Sequence, residues 1–536
     1  MFSDILLYIR RADKLFVILT VIFAGIPLFH FSYVPIWDGW QFSRCYLAAA
    51  TTGSLWCFDH SSFLHTFLFS LTQRIDPGNF QLIYSLNLIL GIFGLICLRS
   101  LLRYLFGDRL SSANINLITF CFGLNPVFLA HIIQPSLDFT LPIFLIILLL
   151  FLFKKRFLYA GAVGILMVFT KESGFMLYGI SVALFIPIMI FTDPGLFKDK
   201  KRLVRTISLL ALPILLFALY MILTPQTQIG DSWIDGIKKM FKFYLWHKVI
   251  LAQLISLFVI NFTWIITSII IINIFMMILY FLKLLKHKNI NKMVLNNRYE
   301  RIYFYLLLII SCYFLTRIPF VNNPRYMLPV LPILIIIFAG SLVKVLRKQS
   351  LITIALTVFL ILLTVSSFRT IDPVSKKIFG TFKFGSHDML EMALFDSPGY
   401  KYGYGRDQLV YNFEFTQFHY VTEKILNKTG WQRIFVVAPN ANWTKDFTTF
   451  DISTGRRAIY GERVTSLPLI YSNQISSRNE APREFFYISY PHFDKNNINE
   501  KQRARLSRLY DLVRIIPLEN DGYSLDVYHY VKKNRG

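Results

Sequence analysis

The sequence predicts a polytopic α-helical membrane protein of about 11 transmembrane helices, followed by a small extracytoplasmic α/β domain. Three observations predict it. Hydrophobic residues make up 55% of the 536-residue chain and charged ones 16%, which is too apolar for a soluble globular protein. Leu, Ile and Phe fill one stretch after another of near-membrane length, and Lys and Arg gather in alternate connections between those stretches.

The first apolar run, residues 15 to 34, follows Arg10, Arg11 and Lys14. It is longer than a signal-peptide core and lacks a small-residue cleavage site, so it is expected to stay as an anchor. Further runs cover residues 80 to 98, 114 to 131, 137 to 153, 157 to 170, 174 to 192, 206 to 223, 256 to 282, 302 to 316, 327 to 343 and 350 to 367. The basic groups Arg99, Arg103 and Arg109, then Lys154, Lys155 and Arg156, then Lys198 to Arg205, Lys283 to Arg301, and Lys344 to Lys348 all fall in alternate connections. Lys and Arg accumulate in short cytoplasmic loops, so the N-terminus is expected inside and the C-terminus outside. The net charge of +25 is thereby explained by topology, and no nucleic-acid partner is expected. Richness in Ile, Lys and Asn points to a bacterial inner membrane as the setting.

Two external stretches are longer than linkers need to be. One is the first extracytoplasmic loop, residues 35 to 79; the other is residues 224 to about 250, where Trp233, Ile237, Met240, Phe241 and Tyr244 alternate with Lys238, Lys239 and Lys242. Both read as interfacial, the second as a helix in the headgroup layer or an ordinary amphipathic connector. The transmembrane region is placed at residues 1 to 367. From 368 to 536 the composition shifts to Pro, Gly, Asn, Asp and Tyr with no further spanning run, as expected of a soluble domain. Ile434 to Ala438, Phe485 to Ser489 and Leu512 to Ile516 read as buried strands and Gln417 to Asn427 as a helix. Of five cysteines, Cys97, Cys121 and Cys312 lie in apolar runs as small hydrophobes. Cys45 and Cys57 share the first external loop, where a disulfide and two free thiols are equally permitted.

Charge near the bilayer is costly, so ionisable residues at span ends carry the functional signal. On the expected external side stand Asp38, Asp59, His60, Asp138, Lys171, Glu172 and Arg325. Asp38 lies between Trp37 and Gly39-Trp40, where it fits a general base or a solvated loop acid. Asp138 follows Gln134-Pro135-Ser136 at a helix start, a position that also suits simple capping. Lys171-Glu172 fits a site or a local ion pair, and Arg325, held among Pro324, Tyr326 and Pro329, fits a phosphate fork or an interfacial anchor. Acids and cations on one membrane face make the set needed to break a sugar–phosphate bond: a base for the acceptor and positive charge for the leaving phosphate.

In series, Asp38, His60-Ser61-Ser62-Phe63-Leu64, the stretch from Asn125-Pro126 to Asp138, Thr170-Lys171 and Arg325-Tyr326-Met327-Leu328-Pro329 resemble the pattern of GT-C glycosyltransferases. These include protein O-mannosyltransferases and lipid A aminoarabinose transferases. The resemblance runs to about residue 345. It departs at Asp38-Gly39, where many relatives have Asp-Glu, and at His60-Ser61-Ser62-Phe63, where they have His-Pro-Pro-Leu.

The resemblance implies transfer, with inversion, of a sugar from a polyprenyl-phosphate donor to lipid A, a glycan or a protein. Asp38 would take the acceptor proton, and Asp138, the second catalytic residue, would orient the donor or acceptor. Lys171, Arg325 and Tyr326 would hold the phosphate, and His60, Asp59 and Glu172 would orient substrate. No cofactor is required, although a divalent cation is acceptable to Asp38, Asp138 and His60. Membrane lipids complete the expected partners. Two rivals are a lipid-linked glycan flippase, whose charges belong near mid-membrane, and an O-antigen polymerase or ligase, whose large loop lies between late spans rather than after the last.

Overall fold

The computed structural model describes residues 13–31, 38–55, 62–192, 200–223, 254, 256–286, 298–317, 324–367, 373–379, 383–384, 387–388, 435–437, 469–471, 475, 482–489, 498–520 and 523–533. Its described helices are α1 (Lys14–Leu28), α2 (Asp38–Thr52), α3 (Phe63–Ile75), α4 (Phe80–Phe106), α5 (Ser112–Gly123), α6 (Pro126–Ala130), α7 (Leu137–Phe153), α8 (Phe157–Val168), α9 (Glu172–Thr192), α10 (Lys200–Leu223), α11 (Trp264–Lys286), α12 (Arg298–Arg317), α13 (Leu331–Leu346), α14 (Gln349–Ser367), α15 (Pro373–Phe379) and α16 (Ile498–Leu506).

Each of the eleven expected apolar runs carries helix. Among the described residues, five elements are by themselves long and apolar enough to cross a bilayer: α4, α10, Tyr299–Thr316, Arg325–Leu346 and α14. The pair Ser112–Gly123 and Pro126–Ile133 makes one broken span bent by 58°, and α1, α7, α8, Glu172–Ile188 and Trp264–Leu279 are shorter apolar helices. Val21, Ile89, Leu215, Ile222 and Ile361 project outward from these helices, as side chains do when the solvent is lipid. The chain is an integral membrane protein.

α7 is the centre. It is apolar all round and almost wholly buried, the pattern of a helix packed on every side. Gly94 of α4 lets that helix close on it: a Cβ there would come 3.1 Å from Ile143. The chain reaches α7 through a break. Asn125 caps α6 by accepting from the Val127 amide at 3.1 Å, Pro126 takes the first turn, and the segment His131–Ile133 tightens into a 3₁₀ turn. Such irregular backbone needs partners inside a membrane protein, and the Asn87 side chain donates to the Ile132 carbonyl at 3.0 Å.

At the expected cytoplasmic end, Arg99 differs from an ordinary orienting cation. It is 2% exposed, donates from Nε to Asn116 at 2.6 Å, and lies over the Phe16 ring at 4.7 Å. Asp13, which caps α1, stands 4.0 Å from it.

In the loop expected to be the first external one, α2 and α3 form a helical hairpin. α3 is amphipathic the wrong way round for a soluble protein: His65, Thr66, Ser70, Thr72 and Gln73 are buried, whereas Phe67, Leu71 and Ile75 are exposed. Cys45 is disulfide-bonded, Cys97, Cys121 and Cys312 are free, and Cys57 lies outside the described residues.

Among the described residues seven strands follow: β1 (Lys383–Phe384), β2 (His387–Asp388), β3 (Phe435–Val437), β4 (Leu469–Tyr471), β5 (Glu484–Ser489), β6 (Tyr510–Asn520) and β7 (Tyr523–Lys532). β1 and β2 pair alone; the others form one mixed sheet in the order β4-β3-β5-β7-β6, with β3 parallel to β4 and β5 and the rest antiparallel. Phe485, Tyr487, Leu506, Tyr510, Tyr528 and Tyr530 make its core against α16. All three expected strands are present, but the third is not buried: Leu512, Val513 and Ile515 of β6 stand exposed, because β6 is the edge strand of the sheet. The expected helices at 417 to 427 and 224 to 250 lie outside the described residues.

Candidate active site at the helix ends

Two helix starts and one 3₁₀ turn meet at a single carboxylate. Asp138 is the second residue of α7, where Ser136 accepts from its backbone N–H at 3.1 Å. Its side chain is only 5% exposed. Lys171 donates from Nζ to both of its oxygens, at 2.8 and 2.9 Å. Arg325 Nε stands 3.5 Å from Oδ2. Lys171 Nζ and the Arg325 guanidinium both lie over the Tyr326 ring, 4.9 and 5.0 Å from its centre, and Arg325 also donates to the Tyr326 hydroxyl at 3.1 Å.

Local sequence accounts for each placement. Lys171 sits in the tight reversal between α8 and α9, its carbonyl accepting from the Gly174 amide at 2.8 Å. Gly174 is required there: a Cβ would collide with the Met167 carbonyl and approach Leu141 within 2.9 Å. Arg325 begins the 3₁₀ turn Pro324–Val330, whose Tyr326 carbonyl accepts from the Tyr313 hydroxyl at 3.2 Å. The basic groups at the other end of α7 stand about 26 Å away, the length of its 17 residues.

One carboxylate faces one lysine and one arginine, so the formal charges of the cluster sum to +1. Burial makes the ion pairs costly to desolvate, so their geometry matters more than their number. Two cations held by one carboxylate and against one aromatic ring are the kind of donors that suit the oxygens of a phosphate.

The expected site residues divide as follows. Asp138, Lys171, Arg325 and Tyr326 come together. Glu172 opens α9 beside Lys171 and is partly buried. Asp38 opens α2, but its side chain, with Asp59 and His60, lies outside the described residues. Its neighbour Gly39 packs on the segment leading to Asp138: a Cβ there would overlap the Gln134 amide and come within 3.1 Å of the Pro135 carbonyl. Among the described residues no three His, Cys, Asp or Glu side chains gather as a metal site needs, and Asp138 is already bridged by cations.

Two histidines share the electrostatic neighbourhood of Asp138 and were not singled out in the sequence: His131, whose Nδ1 bonds the Val127 carbonyl at 2.7 Å, and His65. His65 is 3% exposed, stacks on Phe69 at 4.3 Å and meets the Tyr46 hydroxyl at 3.3 Å through Nδ1. Its signal was the run of Ser62, His65, Thr66, Ser70 and Gln73 at helical spacing opposite Phe67, Leu71 and Ile75. Burial lowers its pKa to about 3, against the pull of the Asp138 carboxylate.

A pH dependence follows. The unfolded chain takes up this proton near pH 6.5 and the folded protein only near 3, so the unfolded state binds more protons between those values. Stability is full above 6.5 and falls as pH drops toward 3. Thermal unfolding midpoints of wild type and His65→Gln measured across this window should diverge, the variant losing less on the acid side; parallel curves would show that His65 does not contribute.

No family model matches the chain, and no curated protein matches it. Among solved structures, the chain is similar over 96% of its length to the crystal structure of ArnT from Cupriavidus metallidurans bound to undecaprenyl phosphate, of which 97% is covered, with 11% identity and a TM-score of 0.46. The apo crystal structure of ArnT from the same organism has the same coverage, with 12% identity and a TM-score of 0.45. At scores this low, the chemistry of the cluster is to be read from its own side chains.

Proposed function

We propose that this protein is a glycosyltransferase that moves a sugar from a polyprenyl-phosphate donor to an envelope acceptor, either lipid A, a glycan or a protein, at the outer face of the membrane and with inversion. The observation that carries the proposal is the buried convergence of Lys171 and Arg325 on Asp138 at the ends of membrane helices. A polyprenyl-phosphoryl sugar is a phosphodiester with one negative charge, which the +1 cluster balances. As the sugar–phosphate bond breaks, a second charge develops on the leaving phosphate, where fixed cations in a dry site stabilise it most.

Asp38 takes the proton of the acceptor hydroxyl. The acceptor oxygen then attacks the anomeric carbon from the face opposite the phosphate, and the electron pair of the broken bond leaves on the phosphate oxygen. Asp138, engaged by both cations, is a poor base; its work is to hold Lys171 and Arg325 at the spacing that one phosphate bridges. Gly39 seated against Gln134 and Pro135 supports this division, because it brings the backbone beside Asp38 to the segment that enters the cluster. A flippase needs its charges along a path near mid-membrane, whereas this cluster stands at one end of α7.

Comparative mass spectrometry of envelope glycolipids and glycoproteins, with and without the protein, tests the proposal. The expected result is the loss of one glycosyl mass from one acceptor class; identical spectra would contradict it.

A further inference from the structure

We infer that the inward polar face of α3 is a sugar-recognition wall, and that His65 Nε2 is its specificity-determining donor to a hydroxyl of the transferred glycosyl group. The inference rests on the proposed transferase activity and extends it to a residue and a role.

The helix is placed against the cluster from two sides. Phe63 at its start packs against Phe169, ring centres 4.6 Å apart and planes tilted by 51°, two residues before Lys171. The partner helix α2 abuts Gln134 and Pro135 through Gly39, just ahead of Asp138. The outward face, with Phe67, Leu71 and Ile75, suits the membrane interface, and this leaves the polar face turned inward.

Most of that face is satisfied by protein. Thr66 pairs with Ser62, Ser70 and Thr72 bond carbonyls of their own helix, and Gln73 bonds Gly78 and Asn79. His65 Nε2 differs: it is buried and has no hydrogen-bond partner among the described residues. A buried polar atom without a partner costs its full desolvation, which a purely structural position would shed by carrying an apolar ring.

The tautomer follows from the neighbour. The Tyr46 hydroxyl is fully buried and meets His65 Nδ1; donation from the phenol to Nδ1 satisfies both groups and puts the ring hydrogen on Nε2. Nε2 therefore presents a neutral N–H, which suits a sugar hydroxyl oxygen. The phosphate charge is already met by Lys171 and Arg325.

The test is made with the full-length chain in cells lacking it, reading the glycosylated product per amount of protein by mass spectrometry and the thermal midpoint of each purified variant. His65→Phe keeps the stacking on Phe69 and removes the donor. It should lower product roughly tenfold with a midpoint near that of wild type, because relief of the unpartnered Nε2 offsets the partner that the buried Tyr46 hydroxyl loses. His65→Gln, whose amide N–H reaches the same place, should recover most of the product. Tyr46→Phe, which frees Nδ1 to hold the hydrogen in part of the molecules, should fall between.

Product within twofold of wild type for His65→Phe would overturn the inference, as would equal losses in His65→Phe and His65→Gln that track a lowered midpoint. If His65→Phe does not accumulate, Tyr46→Phe at the wild-type level overturns it instead. A wild-type chain that restores no product overturns the transferase reading itself and this inference with it, an outcome separate from failure of the His65 variants alone.

Discussion

Asp138→Ala is expected to destabilise the folded protein by about 3 to 5 kcal/mol and to abolish transfer, because it strands two buried cations. Lys171 Nζ loses both of its carboxylate bonds and Arg325 its ion pair, within a site where the side chains of both are only 10% exposed. Lys171→Met alone leaves the carboxylate with Arg325 and should cost less. Combining the two substitutions removes one charge of each sign, so the double variant should regain most of the stability lost by Asp138→Ala, although not the activity. Thermal unfolding in one detergent checks all three proteins. A loss below about 1 kcal/mol for Asp138→Ala would mean that the cluster is wet and behaves as a surface pair.

Asp38→Asn is expected to reduce transfer by about 10² to 10⁴-fold, the range for loss of a general base, while leaving the fold intact. The competing account is that Asp38, as the first residue of α2, serves only the helix start. An acid in that position contributes about 0.3 to 1 kcal/mol to stability and nothing to turnover. The two accounts separate cleanly: in vitro transfer from a synthetic polyprenyl-phosphate sugar, measured beside the unfolding midpoint, shows either a large rate loss with little change in midpoint or the reverse. Near-normal turnover would remove Asp38 from the catalytic role.

The helical region was legible in the sequence because bilayer length and apolar composition are properties of each run taken alone. The runs at 137 to 153 and 350 to 367 match α7 and α14 residue for residue or nearly so. The strands around Val436 and Tyr487 were legible as short apolar runs; the run at Leu512 is also a strand, but on the sheet edge with Leu512, Val513 and Ile515 exposed, so its apolar composition did not signal burial. What the sequence did not disclose depends on long-range packing. Asp138 and Lys171 are 33 positions apart, and Asp138 reads equally well as a helix cap until Lys171 is seen on both of its oxygens.

α3 escaped notice because an amphipathic pattern fixes that one face is apolar without saying which face points inward. In water Phe67, Leu71 and Ile75 would be the core; here they face outward and His65 is buried. Arg99 was hidden in the same way. Its place in a basic connection marked it as an orienting charge, whereas its partners Asp13 and Asn116 come from elements before and after it.

The central claim is that Lys171 and Arg325 bind the phosphate of a lipid carrier, and the most direct measurement compares binding of a polyprenyl phosphate with that of the uncharged polyprenol of the same length. The wild-type protein should bind the phosphate about 100-fold or more tightly than the alcohol, and Lys171→Met or Arg325→Met should each erase about 10- to 100-fold of that preference, as expected for charge-assisted hydrogen bonds. Equal affinity for phosphate and alcohol, or a preference that survives both substitutions, would contradict the account.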